Sequence, residues 1–151
     1  MCVLLARMND REANLLAEQL GFLGITLASL PAGDRGGIVT YADQSRFDYE
    51  AIIFVSTSLG DYVETLRMIR KYGHTIPAIV LSSPDGGKYR AQALDYGADG
   101  YVTNNPVDVV ELMATINAVI RGREYGIAKA TKLLQLLPRT GDIVREPLAS
   151  V

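Results

Sequence analysis

The sequence predicts an α/β fold, a doubly wound parallel sheet of five strands with helices on both faces. Short apolar runs alternate along the chain with segments of helical periodicity, the pattern typical of strands buried on both sides. Residues 77–101 contain a complete strand, helix and strand, predicted at 78–81, 88–96 and 99–102. Gly97 follows the helix, where glycine commonly ends helices. Such a unit predicts parallel strands joined by a crossover helix.

The other elements follow in chain order. Strands are predicted at residues 3–6, 25–29 and 51–55, and helices at 11–20, 38–45 and 107–121, with one more between Val63 and Gly73. Residues 31–37, with three glycines and a proline, predict a flexible loop that lacks the G-x-x-x-x-G-K spacing of a phosphate-binding loop. Gly122 is expected to close the fifth helix, and residues 127–137 predict a separate helix in the tail.

Composition restricts the function classes. With 151 residues, of which 48% are hydrophobic, the chain can form one domain plus a tail. A net charge of -2 gives no attraction to nucleic acid.

Cys2 and His74 are the lone cysteine and histidine, so neither an internal disulfide nor a Cys/His zinc site is expected. His74 is interpreted as a loop residue. Without a leader or a long apolar stretch, the chain is predicted to be soluble and cytoplasmic, with no membrane partner.

The fifth predicted helix has two apolar rows. At about 100° per residue, one side collects a normal core stripe of Val109, Leu112, Met113, Ile116, Val119 and Ile120. Val110, Ala114 and Ala118 form a second row that faces away from the core. This row is either a solvated strip or a partner contact, and the sequence leaves both interpretations open.

The order of elements and several local motifs resemble the receiver domain of bacterial two-component response regulators, particularly those of winged-helix transcription factors. The motifs are CVLL at 2–5, a hydroxyl at Ser82 after the fourth strand, GADGY at 97–101 and ELMATINAVIR at 111–121. The resemblance covers residues 1–123 and implies the (βα)5 flavodoxin-like receiver fold. Residues 124–151 are then a linker or tail, in which GDIVR at 141–145 resembles the start of a winged-helix output domain. DNA would be bound only through such a domain outside this chain.

The resemblance implies a phosphorylation site whose parts are largely replaced here. The family's acid pair falls on Arg7 and Met8, its phosphoacceptor on Val55 (or Phe54 or Ser56), and its lysine on Asn104. Ser82 and Tyr101, the hydroxyl and switch-linked aromatic positions, keep the family's residue types. Magnesium prefers carboxylate oxygens, whereas Arg7 is a cation, Met8 offers a soft sulfur and Val55 has no nucleophile. The sequence therefore predicts a degenerate pseudo-receiver, not an enzyme, without metal or cofactor.

The family's partner surface, formed by the fourth helix, fifth strand and fifth helix, implies a homodimer. Its apolar cluster falls on Ala91, Leu94 and Ala114, to which the outward row adds Ala118. One of the family's three cross-subunit ion pairs is kept in type, as Arg90 with Glu111. The second falls on the uncharged Gly100 and Thr115, and the third keeps Asp99 opposite Gly122.

These residues are compatible with three functions. The favoured one is a signalling and dimerisation module of a transcription regulator that does not depend on phosphorylation. The alternative is a pseudo-receiver that senses a small anion or metabolite at the rim formed by Arg7, Asn9, Ser56, Ser82 and Asn104. A flavodoxin-like enzyme ranks last, because the sequence has no phosphate loop after the first strand and no G-x-G-x-x-G motif.

Overall fold

Strands and helices alternate along the chain in the computed structural model, which describes residues 1–7, 10–31, 33–55, 62–82, 90–103 and 107–136. Side chains are described for all of these except residues 10, 82 and 123–136. The strands are β1 (Cys2–Arg7), β2 (Thr26–Pro31), β3 (Ala51–Val55), β4 (Ala78–Ser82) and β5 (Gly100–Thr103). The helices are α1 (Asp10–Phe22), α2 (Arg35–Tyr41), α3 (Val63–Lys71), α4 (Arg90–Asp95) and α5 (Val109–Leu136).

The five strands form one parallel sheet in the order β2-β1-β3-β4-β5. This confirms the predicted fold class, including the parallel pairing of the strand-helix-strand unit at residues 77–101. Because all strands run the same way, their carboxyl ends meet at one edge, and the order reverses beside β1. The site predicted from the sequence therefore belongs at the carboxyl edge of β1 and β3.

The core lies on both faces of the sheet, because neighbouring side chains of a strand point to opposite sides. One face carries Leu4, Ile52 and Val80 and is covered by apolar side chains of α2, α3 and α4. The other carries Leu5 and Ile53 and is covered by α1 and the first part of α5. Strands covered on both sides have no polar face, which explains the continuous apolar runs of β1 and β3.

Two sequence-based boundaries around α2 are wrong. Residues 35–37, predicted as part of a flexible loop, form the first turn of α2, and the helix ends at Tyr41 instead of residue 45. The reason is a cap at Asp34, whose Oδ1 accepts a hydrogen bond from the Gly37 N–H at 3.0 Å. Pro31 is also outside the loop, since it pairs with Arg7 at the end of the edge strand β2, where a proline is tolerated.

The predicted stop at Gly122 is also wrong, because α5 continues to Leu136 and takes in most of the segment expected to form a separate helix. A glycine that ends a helix usually adopts the left-handed conformation. In the described residues that conformation occurs at Gly24, Gly73 and Gly97. A glycine inside a helix costs about 1 kcal/mol relative to alanine, which a long helix tolerates.

The chain divides into two compact units, Met1–Ile120 and Arg121–Val151. The first contains the whole sheet and the core described above. The boundary drawn from the sequence, between residues 123 and 124, stays a prediction. Across the described ranges, no helix combines the length and the apolar character that crossing a bilayer requires.

Candidate functional site

The carboxyl edge brings together the ends of the strands that the sequence singled out. Arg7 pairs in register with Val55, and Val55 pairs with Leu81, one residue before Ser82. Ser82 in turn pairs with Thr103 at the end of β5. Arg7, Val55 and Ser82 therefore lie along one edge, next to the point where the strand order reverses, which is where sheets of this kind place their ligand sites.

The position of Val55 is apolar and closed to solvent. Its side chain is 0% exposed and packs with Leu81 and Val102 in the cluster covered by α1 and α5. Phe54, the alternative acceptor position, is equally buried on the opposite face, with its ring 6.0 Å from that of Tyr62. Neither residue can present a group to a phosphate donor. Ser56, the third alternative, lies outside the described residues.

Arg7 stands half-buried at the end of β1. The other predicted members of this edge (Met8, Asn9, Asn104 and the side chain of Ser82) lie outside the described residues, so the rim as a ligand site stays a prediction. In the part of the chain that the structure describes, no group of three or more His, Cys, Asp or Glu side chains comes together as a metal site would require.

Tyr101, the residue expected to be linked to switching, is turned into the core. It is 3% exposed and belongs to the cluster on the α2, α3 and α4 side of the sheet. The guanidinium carbon of Arg90, at the start of α4, lies 5.7 Å from the centre of the Tyr101 ring. Such a contact is attractive because the cation meets the electron-rich ring, so it links the exposed end of α4 to a buried residue of β5.

Apart from Asp99, the residues expected at the partner surface lie on the exposed sides of α4 and α5. Val110 is 79% exposed and Leu94 is 44% exposed. Ala91, Ala114 and Ala118 and the charged Arg90 and Glu111 are exposed as well. The second apolar row of α5 therefore faces outward, as the sequence predicted.

Gly100 and Thr115, the uncharged residues at the second ion-pair position, serve internal packing. A Cβ atom added at Gly100 would lie 2.9 Å from Thr115 Cγ2 and 3.3 Å from Val119 Cγ2. The close approach of β5 and α5 leaves no room for a side chain there. A charged residue at position 100 would have to move the helix.

No sequence pattern pointed to the role of Arg70, a residue of the last turn of α3. Its Nη2 lies 3.0 Å from Asp99 Oδ2, and this carboxylate oxygen also accepts the Ala78 N–H at 2.8 Å. The guanidinium donates to the Gly97 carbonyl from Nε (3.2 Å) and Nη2 (3.0 Å), and from Nη1 to the carbonyls of residues 74 and 76 at 2.9 and 2.8 Å. Asp99, expected at the partner surface, is thus engaged within its own chain. A helical arginine gives no sequence signal for such distant contacts.

Comparison with known proteins finds curated relatives that match part of this chain. No protein-family model matches the chain. The chain is 31% identical over 122 residues to protein RcaC of Microchaete diplosiphon, an alignment that covers 80% of this chain and 18% of RcaC. It is 29% identical over 99 residues to the virulence transcriptional regulatory protein PhoP of Salmonella typhi, covering 66% of this chain and 42% of PhoP. The chain thus spans less than half the length of either curated relative.

Solved structures agree on the fold. The receiver domain of the Francisella response regulator 1452 superposes with a TM-score of 0.64 at 22% sequence identity, covering 81% of this chain and 98% of that domain. A response regulator receiver domain from Clostridium thermocellum gives a TM-score of 0.66 at 17% identity. The two superpositions cover 98% and 97% of those domains, so this chain has the fold of a nearly complete receiver domain.

Proposed function

Since this chain contains a response regulator receiver domain of a two-component system, we propose that the domain signals through self-association without being phosphorylated in the usual way. The observation that carries the proposal is the pairing of Arg7 with Val55 at the carboxyl edge of β1 and β3. A cation and a fully buried hydrocarbon occupy the edge at which a receiver needs carboxylates.

Magnesium-dependent phosphorylation needs a metal and an acceptor at that edge. A divalent cation is held by hard oxygen ligands, and a guanidinium at the same place repels it. Phosphoryl transfer also needs a nucleophile that a donor can reach, which the buried side chains of Phe54 and Val55 do not provide. These features support a domain that keeps the receiver fold but has lost magnesium-dependent phosphorylation.

Self-association is supported by the exposed face of α4 and α5. Leu94, Val110, Ala114 and Ala118 lie on the outside of helices whose other side chains already fill the core, so they have no use within the domain. A symmetric pair of domains would remove them from water. Arg90 and Glu111 border this face and have the charges for one cross-subunit ion pair. An ion pair at the solvent-exposed edge of an interface contributes only about 0 to 1 kcal/mol to binding. The apolar centre is therefore expected to supply most of the free energy of association.

A role in transcription regulation is part of the same proposal. The relative PhoP is named as a transcriptional regulatory protein, and in this proposal the dimer would position DNA-binding domains of the whole protein. The net charge of -2 of this chain is consistent with leaving the DNA contact to another domain.

Incubation with acetyl phosphate and Mg²⁺ tests the independence from phosphorylation. We expect the intact mass of the 151-residue chain to remain unchanged, and beryllofluoride to leave its oligomeric state unchanged. A receiver domain that carries both acids and the aspartate acceptor serves as the positive control under the same conditions. A stoichiometric gain of one phosphoryl group would contradict the proposal.

A further inference from the structure

A cavity of about 430 Å³ lies between α2, the connection from α2 to β3, and the end of α3. Its wall at Tyr72 and His74 lies toward the opposite end of the sheet from Arg7 and Val55, because α3 ends there and the chain then enters β4. Its volume is within the range of small-molecule sites in proteins, about 300 to 1,000 Å³. Nothing in the proposed function uses this cavity.

The cavity has an apolar floor and an aromatic wall. Val39, which is almost completely buried, and the partly buried Met68 form the floor. Tyr72 and His74 also line it, with ring centres 6.4 Å apart and planes inclined by only 22°. Tyr72 is among the most exposed large side chains of the described residues, so burying its ring would be favourable. Two nearly parallel rings beside an apolar floor suit a flat aromatic molecule.

The backbone holds this wall in place. The His74 N–H donates to the Ile69 carbonyl at 3.1 Å, and the His74 carbonyl accepts from Arg70 Nη1 at 2.9 Å. Because both backbone groups of His74 are used, a ligand would not have to order this residue's main chain. A site that is already formed loses less free energy on binding.

Two side chains at the cavity, Arg46 and His74, can donate hydrogen bonds to an anionic group, and one carboxylate, Asp43, lies beside them. Asp43 Oδ1 accepts hydrogen bonds from the N–H and the hydroxyl of Ser45, at 3.0 and 2.6 Å, and these bonds hold the pKa of the carboxyl below its usual value. The charges of His74 and Arg46 lower the same pKa by smaller amounts, so the Asp43 carboxylate also lies within their electrostatic reach. Arg46 lies 5.6 Å from the Phe47 ring centre, and a ring contact does not consume guanidinium N–H donors. Arg46 and His74 thus offer donors to a negatively charged group.

From this geometry we infer that the cavity binds a planar heteroaromatic small molecule with one anionic group, with its ring against Tyr72 and His74 and its anion at Arg46. The anionic group can be a phosphate, as in a nucleotide, or a carboxylate, as in an aromatic acid, since a guanidinium binds both with paired hydrogen bonds. The site does not depend on the carboxyl edge or on self-association, so it can fail or succeed independently of the proposed function.

Nuclear magnetic resonance with the ¹⁵N-labelled 151-residue chain tests the inference. The probes are AMP for the phosphate source and indole-3-acetate for the carboxylate source, with adenosine and indole as probes that lack the anion. We expect at least one anionic probe to give saturable shifts of the amides of residues 36–46 and 72–74. The matching neutral probe should bind about tenfold more weakly, because it forgoes the charged hydrogen bonds. Absence of such shifts with both anionic probes at millimolar concentration would overturn the inference.

Gly36 offers a matched pair of variants. It lines the cavity on α2, and a Cβ added there would meet nothing within 4 Å. Gly36→Leu should block binding by filling the space, whereas Gly36→Ala, which adds only a methyl group, should keep it; both replacements favour the helix. Arg46→Gln should weaken binding of the anionic probe about tenfold and leave the neutral probe unchanged. Binding that is the same in Gly36→Leu and Gly36→Ala would place the ligand elsewhere and refute the inference.

Discussion

Replacing Arg70 with methionine should lower the free energy of unfolding by about 3 kcal/mol, because it removes the partner of Asp99 and the donor to several carbonyl groups at once. The arginine and aspartate side chains are only 22% and 24% exposed, so water replaces the lost contacts poorly. The network joins the end of α3 to the start of β4 and to the connection between α4 and β5. Urea denaturation followed by circular dichroism measures the loss.

Arg67→Met is the matched control for this substitution, since it makes the same change one turn earlier on α3. Arg67 is 58% exposed, lies 3.8 Å from Glu64 and is 4.9 Å from the Tyr96 ring centre. Exposed contacts of this kind contribute about 1 kcal/mol or less. Equal losses in the two variants would mean that the contacts of Arg70 do not stabilise the domain more than an ordinary surface pair.

Ala114→Glu should convert the proposed dimer into a folded monomer. Ala114 lies between Val110 and Ala118 on the exposed row of α5, so two copies of the new carboxylate would be brought together in an apolar centre. Because the alanine is exposed in the single chain, the substitution has little effect on the fold itself. Light scattering gives the mass, and circular dichroism confirms that the variant is folded.

Gln19→Glu introduces the same charge on the exposed side of α1, outside the proposed face, and should leave the dimer intact. Raising the salt concentration should change dimerisation only modestly, because the proposed surface has the charges for a single cross-subunit ion pair, Arg90 with Glu111. A wild-type chain that stays monomeric at high concentration would refute the proposed surface. So would an Ala114→Glu variant that remains a dimer.

The sequence by itself determined the fold class and the two rows of α5. Apolar runs without a polar face predict strands covered on both sides, and the structure has them at β1, β3 and β4. The two rows of α5 also follow from sequence, since helical periodicity fixes which side chains share a side. Arg7, Met8 and Val55 are read directly from the sequence, and their correspondence to the acids of the receiver family stays a prediction.

Tertiary structure decided the features that depend on residues far apart in the chain. The cap at Asp34 makes α2 begin earlier than the sequence predicted, and α5 continues beyond the predicted end at Gly122. The end of a helix depends on local hydrogen bonds as well as on residue type. Arg70 and Asp99 are 29 residues apart, and only the packing of α3 against the sheet brings them together. The cavity beside Tyr72 and His74 arises from the spacing of two helix ends, which no linear pattern encodes.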